Sequence, residues 1–221
     1  MASEPLTIKV GGASVSALLD RPADARACFV FAHGAGAGMT HKSMQSIAEG
    51  LAARGIAVLR YQFLYMEEGG RRPDPPARAH AAVRAAVAKA GKLGLPLIAG
   101  GRSFGGRMTS QAQALDPLPG VRGLAFFGFP LHPAGKPATD RAAHLADVSI
   151  PMLFLSGTRD ALAELHLLRP VVASLGARAT LHVLDHADHS FHVLARSGRK
   201  NTEVEAEALD ALAAWTDRVI G

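Results

Sequence analysis

Gly101-Arg102-Ser103-Phe104-Gly105 matches G-x-S-x-G and sits where that pattern has mechanical meaning. The preceding stretch, Leu95 to Gly100, is a short apolar run that reads as a buried strand. Gly106 to Ala112 reads as the opening of a helix. A serine between strand and helix is held on a strained turn that only small neighbours tolerate, and Gly101 and Gly105 are such neighbours. Its hydroxyl then projects above the sheet, within reach of a base from elsewhere in the chain. A glycine-rich turn without chemistry would match the same five residues, so the companions of the motif decide its meaning.

Where such an elbow works, an acid and then a histidine follow the serine along the chain. Asp160 stands at the outgoing end of the strand Met152 to Leu155, and His186-Ala187-Asp188-His189 follows the strand Thr180 to Leu184. Ends of neighbouring parallel strands converge on one edge of a sheet. Asp160 is preferred as the orienting acid over Asp185 and Asp188, because an adjacent Asp188 cannot easily turn onto the ring of His189. A helix N-cap before Ala161-Leu162 is its competing role. A third companion is His33-Gly34-Ala35-Gly36-Ala37-Gly38, a loop whose backbone N–H groups can face a developing oxyanion. Phe104, after the serine, and Ala35 are the expected donors, with Gly36 next.

Other chemistries fit less well. Gly34-x-Gly36 after a strand is like a dinucleotide loop, but Met39 stands where the third glycine belongs. The next strand ends in Leu59-Arg60-Tyr61-Gln62 without an acid for a ribose, leaving only Arg60 for a phosphorylated one. Gly101 to Ser110 lacks the Lys-Ser or Lys-Thr of a Walker loop. His182, His186, His189 and His192 crowd one segment with Asp185 and Asp188, which admits a metal reading. A histidine loop beside an elbow needs no metal, so no metal and no cofactor are expected.

The 221 residues are 48% apolar and 19% charged, ordinary for a globular chain. At this length roughly 70% of the unfolded surface is buried on folding. The net charge of +5 is scattered, with Arg196-Ser197-Gly198-Arg199-Lys200 the densest cluster, so no nucleic-acid partner is expected. No apolar run reaches the ~18 residues of a membrane span, and the opening Met1 to Leu6 lacks signal-peptide character. The lone Cys28 lies in an apolar strand. The expectation is one cytoplasmic domain over residues 1–221, monomeric or a small homo-oligomer, taking a small-molecule acyl substrate and no membrane partner.

Strands alternate with helical stretches, which argues for an α/β fold with a mostly parallel twisted sheet flanked by helices on both faces. Residues 7–10 and 14–19 read as an antiparallel hairpin across Gly11-Gly12. Strands follow at 27–32, 56–61, 122–129, 152–155 and 180–184. Helices are expected at 42–54 closed by Gly55, from Pro75-Pro76 to Lys89 stopping near Gly91, and at 103–115. Another should run over 162–175, broken or kinked at Pro170. In the last helix Val204, Ala208, Leu212, Trp215 and Val219 form one apolar stripe.

With these residues in view, the chain resembles the α/β-hydrolase superfamily along nearly its whole length. Within it the chain is similar to the lidless, dienelactone-hydrolase-like proteins. Leu59-Arg60-Tyr61, Tyr65-Met66, Gly70 to Pro73, Gly128 to Pro133 and Asp188 to Phe191 resemble a branch with a testis-expressed animal protein and a chromatin acetyltransferase-complex subunit. The resemblance implies Ser103 as nucleophile, His189 as base and Asp160 as orienting acid. Ser103 departs from the cysteine of dienelactone hydrolase itself.

Only Leu131 to Ser149 is available for a cap, too short for a folded one, so an open cleft is expected. His33, Gly34, Gly36, Tyr61, Arg102, Phe129 and Pro130 are candidates to line it, with Phe63, Tyr65 and Phe191; core packing is the alternative for the aromatics. Arg102 and the Arg71-Arg72 loop could attract an anionic substrate, or pair internally with Glu67 or Glu68. The functional expectation is a serine hydrolase acting on a small ester, thioester or related acyl bond. The rivals are a non-catalytic interaction module and a perhydrolase or lyase using the same residues.

Overall fold

The computed structural model describes residues 3–221; Met1 and Ala2, part of the opening discussed above, lie outside the described residues. The chain begins with β1 (Glu4–Val10) and β2 (Ala13–Asp20), a hairpin whose register pairs Val10 with Ala13 across Gly11-Gly12. β3 (Ala27–Ala32), α1 (Lys42–Ala52), β4 (Ile56–Tyr61), the short α2 (Leu64–Glu67) and α3 (Pro76–Ala90) follow. Then come β5 (Leu97–Arg102), α4 (Phe104–Leu115), β6 (Val121–Phe127), β7 (Met152–Gly157), α5 (Leu165–Ser174), β8 (Ala179–Leu184) and α6 (Asn201–Ile220).

The eight strands of the described residues form one sheet in the order β1-β2-β4-β3-β5-β6-β7-β8. β1–β2 and β2–β4 are antiparallel, and every other pair is parallel. β3, β4 and β7 are buried at every position, because helices cover both faces of the parallel part. One core lies under α3, α4 and α5, with Ala82, Val83, Met108 and Leu168 facing the sheet. The other lies under α1 and α6, where Met44, Ile47, Ala48 and Leu51 repeat at helical spacing and meet Val204, Leu212 and Trp215. Burying one such leucine or phenylalanine contributes about 1.5–3 kcal/mol. The fold expected from the sequence is the fold observed: an α/β sandwich of three layers.

The order in which strands are added reverses beside β3: β4 lies on one side of it and β5 on the other. The loops leaving β3 and β5 therefore meet at a topological switch point, the crevice where sheets of this kind bind ligands.

α3 stops beside Gly91 as expected: it ends at Ala90 with Gly91, φ −57°, as its C-cap, and a 3-10 turn then leads to left-handed Gly94, φ 71°. Two local expectations are corrected. α5 starts at Leu165 rather than Leu162 and runs unbroken through Pro170. Pro170 is exposed, and the bond it forgoes belongs to the carbonyl of His166, itself in the exposed first turn. The segment read as irregular, Leu131 to Ser149, contains a 3-10 helix at Asp140–Asp147. Its Ala142 and Leu145 are buried against the α4 side of the sheet, and His144 Nε2 lies 2.8 Å from Ser110 Oγ on α4. This segment is pinned to the body, and no cap domain interrupts the chain between β6 and β7. Among the described residues no helix is long and apolar enough to cross a membrane.

Candidate active site

Ser103 stands between the last residue of β5 and the first of α4, at φ 49° and ψ −114°. A non-glycine residue held in such a region costs on the order of 1–3 kcal/mol. The surrounding backbone fixes it there: Ser103 N–H donates to Phe127 O, and Arg107 N–H donates to Ser103 O, each at 3.1 Å. A Cβ on Gly105 would fall 2.5 Å from His33 O and 2.6 Å from Ala32 O. A Cβ on Gly101 would fall 2.6 Å from Ala32 O. The turn is thus pressed against the exit of β3 with no room for a side chain at either glycine.

Ser103 Oγ lies 2.9 Å from His189 Nε2. On the other side of the ring, His189 Nδ1 lies 2.9 Å and 2.8 Å from the two carboxylate oxygens of Asp160. The Asp160 side chain is fully buried, whereas 21% of His189 is exposed. Asp160 Oδ1 also accepts the Leu162 N–H at 2.8 Å. Its alternative role as the α5 N-cap does not hold, since Glu164 occupies that position. Asp188, the other candidate acid, is engaged elsewhere: its Oδ1 accepts the N–H groups of Ser190 and His192.

The glycine loop after β3 is braced from four directions. His33 Nδ1–H donates to Gly34 O at 2.8 Å, leaving Nε2 to accept the Phe63 N–H at 3.1 Å. Tyr65 Oη accepts the Gly36 N–H at 3.1 Å, and Gln62 Oε1 accepts the Met39 N–H at 2.9 Å. Arg60 donates to Met39 O at 3.0 Å while pairing with buried Asp20 at 2.8 Å. That pairing occupies the arginine considered above for a phosphorylated ribose. The bond to Tyr65 likewise withdraws Gly36 from the candidate oxyanion donors. Among the described residues no backbone acceptor meets the N–H of Ala35 or of Phe104, the latter being the first residue of its helix.

Beside these groups opens a cleft of about 390 Å³. Of the residues expected there, Gly34, Ala35, Gly36, Arg102, Ser103 and His189 line it. His33, Tyr61, Phe129 and Pro130 do not: all four are buried in the body of the protein. His33 stacks edge-on against Phe63, and burial pulls its pKa down, which keeps the ring neutral. Burial drives the Tyr61 phenol up. Phe129 packs on Phe126 and Phe154. Phe63, Tyr65 and Phe191 are buried as well.

The cleft also receives Ala37, His41, Ser43, Ser190 and His192, none of them expected. Ser190 and His192 carried a signal in their closeness to His189; His41 and Ser43 carried none, and reach the cleft only through the path from β3 into α1. The histidine-rich segment disperses, with His182 Nε2 3.0 Å from Glu207 while His189 meets Ser103 and Asp160. Cys28 is fully buried, and burial pushes its thiol up to about 12, so it stays protonated.

A family model described as an alpha/beta hydrolase domain matches residues 25–217, and the chain belongs to that family. Among solved structures it is similar to the esterase domain of a Rhodothermus marinus protein, with TM-score 0.75, 21% identity and 100% of each chain covered. It is also similar to dienelactone hydrolase from Anabaena variabilis, with TM-score 0.74 and 20% identity over 99% of this chain and 96% of that one. A serine hydrolase without lid from Xanthomonas campestris gives TM-score 0.74 and 20% identity over 96% and 94%. At such identities the likeness establishes the α/β-hydrolase fold.

Proposed function

We propose that this protein is a serine hydrolase that cleaves a small carboxylic ester, thioester or related acyl bond through an acyl-enzyme. The observation that carries the reading is the unbroken hydrogen-bond chain from Ser103 Oγ through His189 to buried Asp160, opening on a cleft. Ser103 Oγ adds to the substrate carbonyl carbon while its proton passes to His189 Nε2. Asp160 holds Nδ1–H, which fixes the tautomer and offsets the charge that develops on the ring. The N–H groups of Phe104 and Ala35 receive the oxyanion; losing one such donor costs about 2.7–4 kcal/mol of barrier in a studied protease. Collapse breaks the bond to the alcohol or thiol, which leaves with the proton from His189. Water, deprotonated by His189, then attacks the acyl-serine and releases the acid and the free serine.

The test is labelling of the purified protein with a fluorophosphonate probe, with Ser103→Ala as control and mass spectrometry to locate the adduct. Labelling at Ser103 alone, lost in the variant, is the expected result. A folded wild type that takes no label would overturn the assignment and favour a non-catalytic interaction module.

A further inference from the structure

The cleft beside Ser103 is unusual in what lines it. Among the described residues it has no carboxylate and no apolar side chain larger than that of alanine. Its walls carry hydroxyls from Ser43 and Ser190, imidazoles from His41 and His192, and one guanidinium, Arg102. An alkyl acyl chain would meet only alanine methyls and the carbon atoms of polar side chains, which limits the hydrophobic contribution of each methylene.

Among the described residues Arg102 is the arginine that lines the cleft. Its guanidinium carbon sits 5.8 Å from the centre of the Phe191 ring, which supports it from below as a cation–π neighbour. Among the described residues its side chain makes no hydrogen bond and no salt bridge, whereas Arg26, Arg54, Arg60, Arg78, Arg84 and Arg199 each hold a carboxylate. The acids that would neutralise it are engaged elsewhere. Of the two acids whose charges act on it, Glu205 accepts from Ser46 and Asp188 accepts from two backbone N–H groups. Burial works against its charge, and the charges of Glu205 and Asp188 offset only part of that cost. A partly buried, unpaired cation next to the nucleophile is an unfavourable arrangement that a negatively charged ligand would relieve.

We infer that Arg102 is the specificity-determining residue of this cleft, binding a carboxylate on the substrate so that small anionic acyl esters are preferred over neutral ones. The inference rests on the serine-hydrolase reading of the same site. A guanidinium meets a carboxylate through two parallel N–H donors, which fixes orientation as well as charge. The serines and histidines of the cleft then solvate a short polar body.

The experiment compares kcat/KM for monomethyl succinate and dimethyl succinate, followed by methanol release, in wild type, Arg102→Gln and Arg102→Lys. The two esters share their acyl skeleton and differ in one charge. Wild type should prefer the monoester, and Arg102→Gln should reduce that preference roughly 10- to 100-fold, the range for a hydrogen bond to a charged group. Arg102→Lys should retain part of it, as a point charge without the fork. Melting curves and labelling at Ser103 check that each variant is folded and assembled. Equal turnover of both esters, or a preference unchanged in Arg102→Gln, overturns the inference while leaving the hydrolase reading in place.

Calorimetric titration of monomethyl succinate into Ser103→Ala, with and without Arg102→Gln, separates the two claims. Binding that depends on Arg102 supports the anion site even if wild type turns over neither ester. No binding to Ser103→Ala overturns it.

Discussion

The Asp160 carboxylate, fully buried at the end of β7, sets both its oxygens within 2.9 Å of Nδ1 of His189, which stands in the loop after β8. Asp160→Asn keeps the size of the group and the acceptor for Leu162 N–H but offers an amide to the ring. The imidazole would then be held in the wrong tautomer, with its proton facing Ser103. In a studied protease the equivalent change lowers kcat by roughly 10⁴-fold. A loss of that order is expected here, read as kcat on any ester that the wild type turns over, with an unchanged melting temperature. A variant within tenfold of wild type would remove Asp160 from the mechanism.

Tyr65 is expected to act on catalysis without touching the substrate. Its hydroxyl holds the Gly36 N–H and so the loop that carries Ala35, the proposed oxyanion donor. Tyr65→Phe frees that loop at one point, and misplacement of a catalytic group by about 1 Å can cost on the order of 10²-fold in rate. The expected change is a fall in kcat of roughly tenfold with KM nearly constant, because the donor serves the transition state rather than the ground state. An effect confined to KM would point to substrate contact, and no effect would mean that His33, Gln62 and Arg60 brace the loop without it.

Much of this site was legible in the sequence, for a physical reason. The serine, the acid and the histidine each sit at a strand exit, where short apolar runs, glycines and turn residues mark the boundary locally. The glycines flanking Ser103 are forced by contacts with Ala32 and His33 that the motif already implies. Phe129, expected at the end of a strand, lies beyond β6, which stops at Phe127, and side-chain direction was not legible for Tyr61 in β4. Strands covered on both faces are apolar throughout, so no alternation tells which face a given residue serves. The brace from Tyr65 to Gly36 and the arrival of His41 and Ser43 at the cleft are products of tertiary packing between segments with no shared pattern. Gly91 marked the end of α3, although it caps the helix at φ −57°, because glycine permits the left-handed conformation without imposing it.

Arg60 and Asp20 form a buried pair, 2% and 4% exposed, that ties β4 to β2 and reaches the glycine loop at Met39. Removing one member leaves the other charge buried and uncompensated, which typically costs about 3–5 kcal/mol. Asp20→Ala should therefore lower stability by that order, read from the urea midpoint at constant m-value. Asp20→Leu with Arg60→Met should cost far less than the sum of the single changes, since neither charge then remains. Additive costs would show that the two residues contribute through packing alone.

His144 should make stability fall on the acid side. Burial lowers its pKa to about 4, helped by the charge of Arg107 and countered by Asp147. In the unfolded chain the same ring titrates near its ordinary value of about 6.5. Between these values the unfolded state binds a proton that the folded state refuses, so acidification favours unfolding. The contribution of His144 is complete above about pH 6.5 and is lost progressively as pH falls towards 4. His33 and His80, whose pKa values burial also lowers, act with the same sign. His144→Asn should flatten the dependence of the urea midpoint on pH in this window, although the other two histidines keep it from vanishing. The same variant should leave the midpoint above pH 7 less affected than the slope below it. A slope identical to that of wild type between pH 6.5 and 4 would mean that His144 is protonated as readily in the folded protein as in the unfolded chain, and that its contact with Ser110 does not depend on a neutral ring.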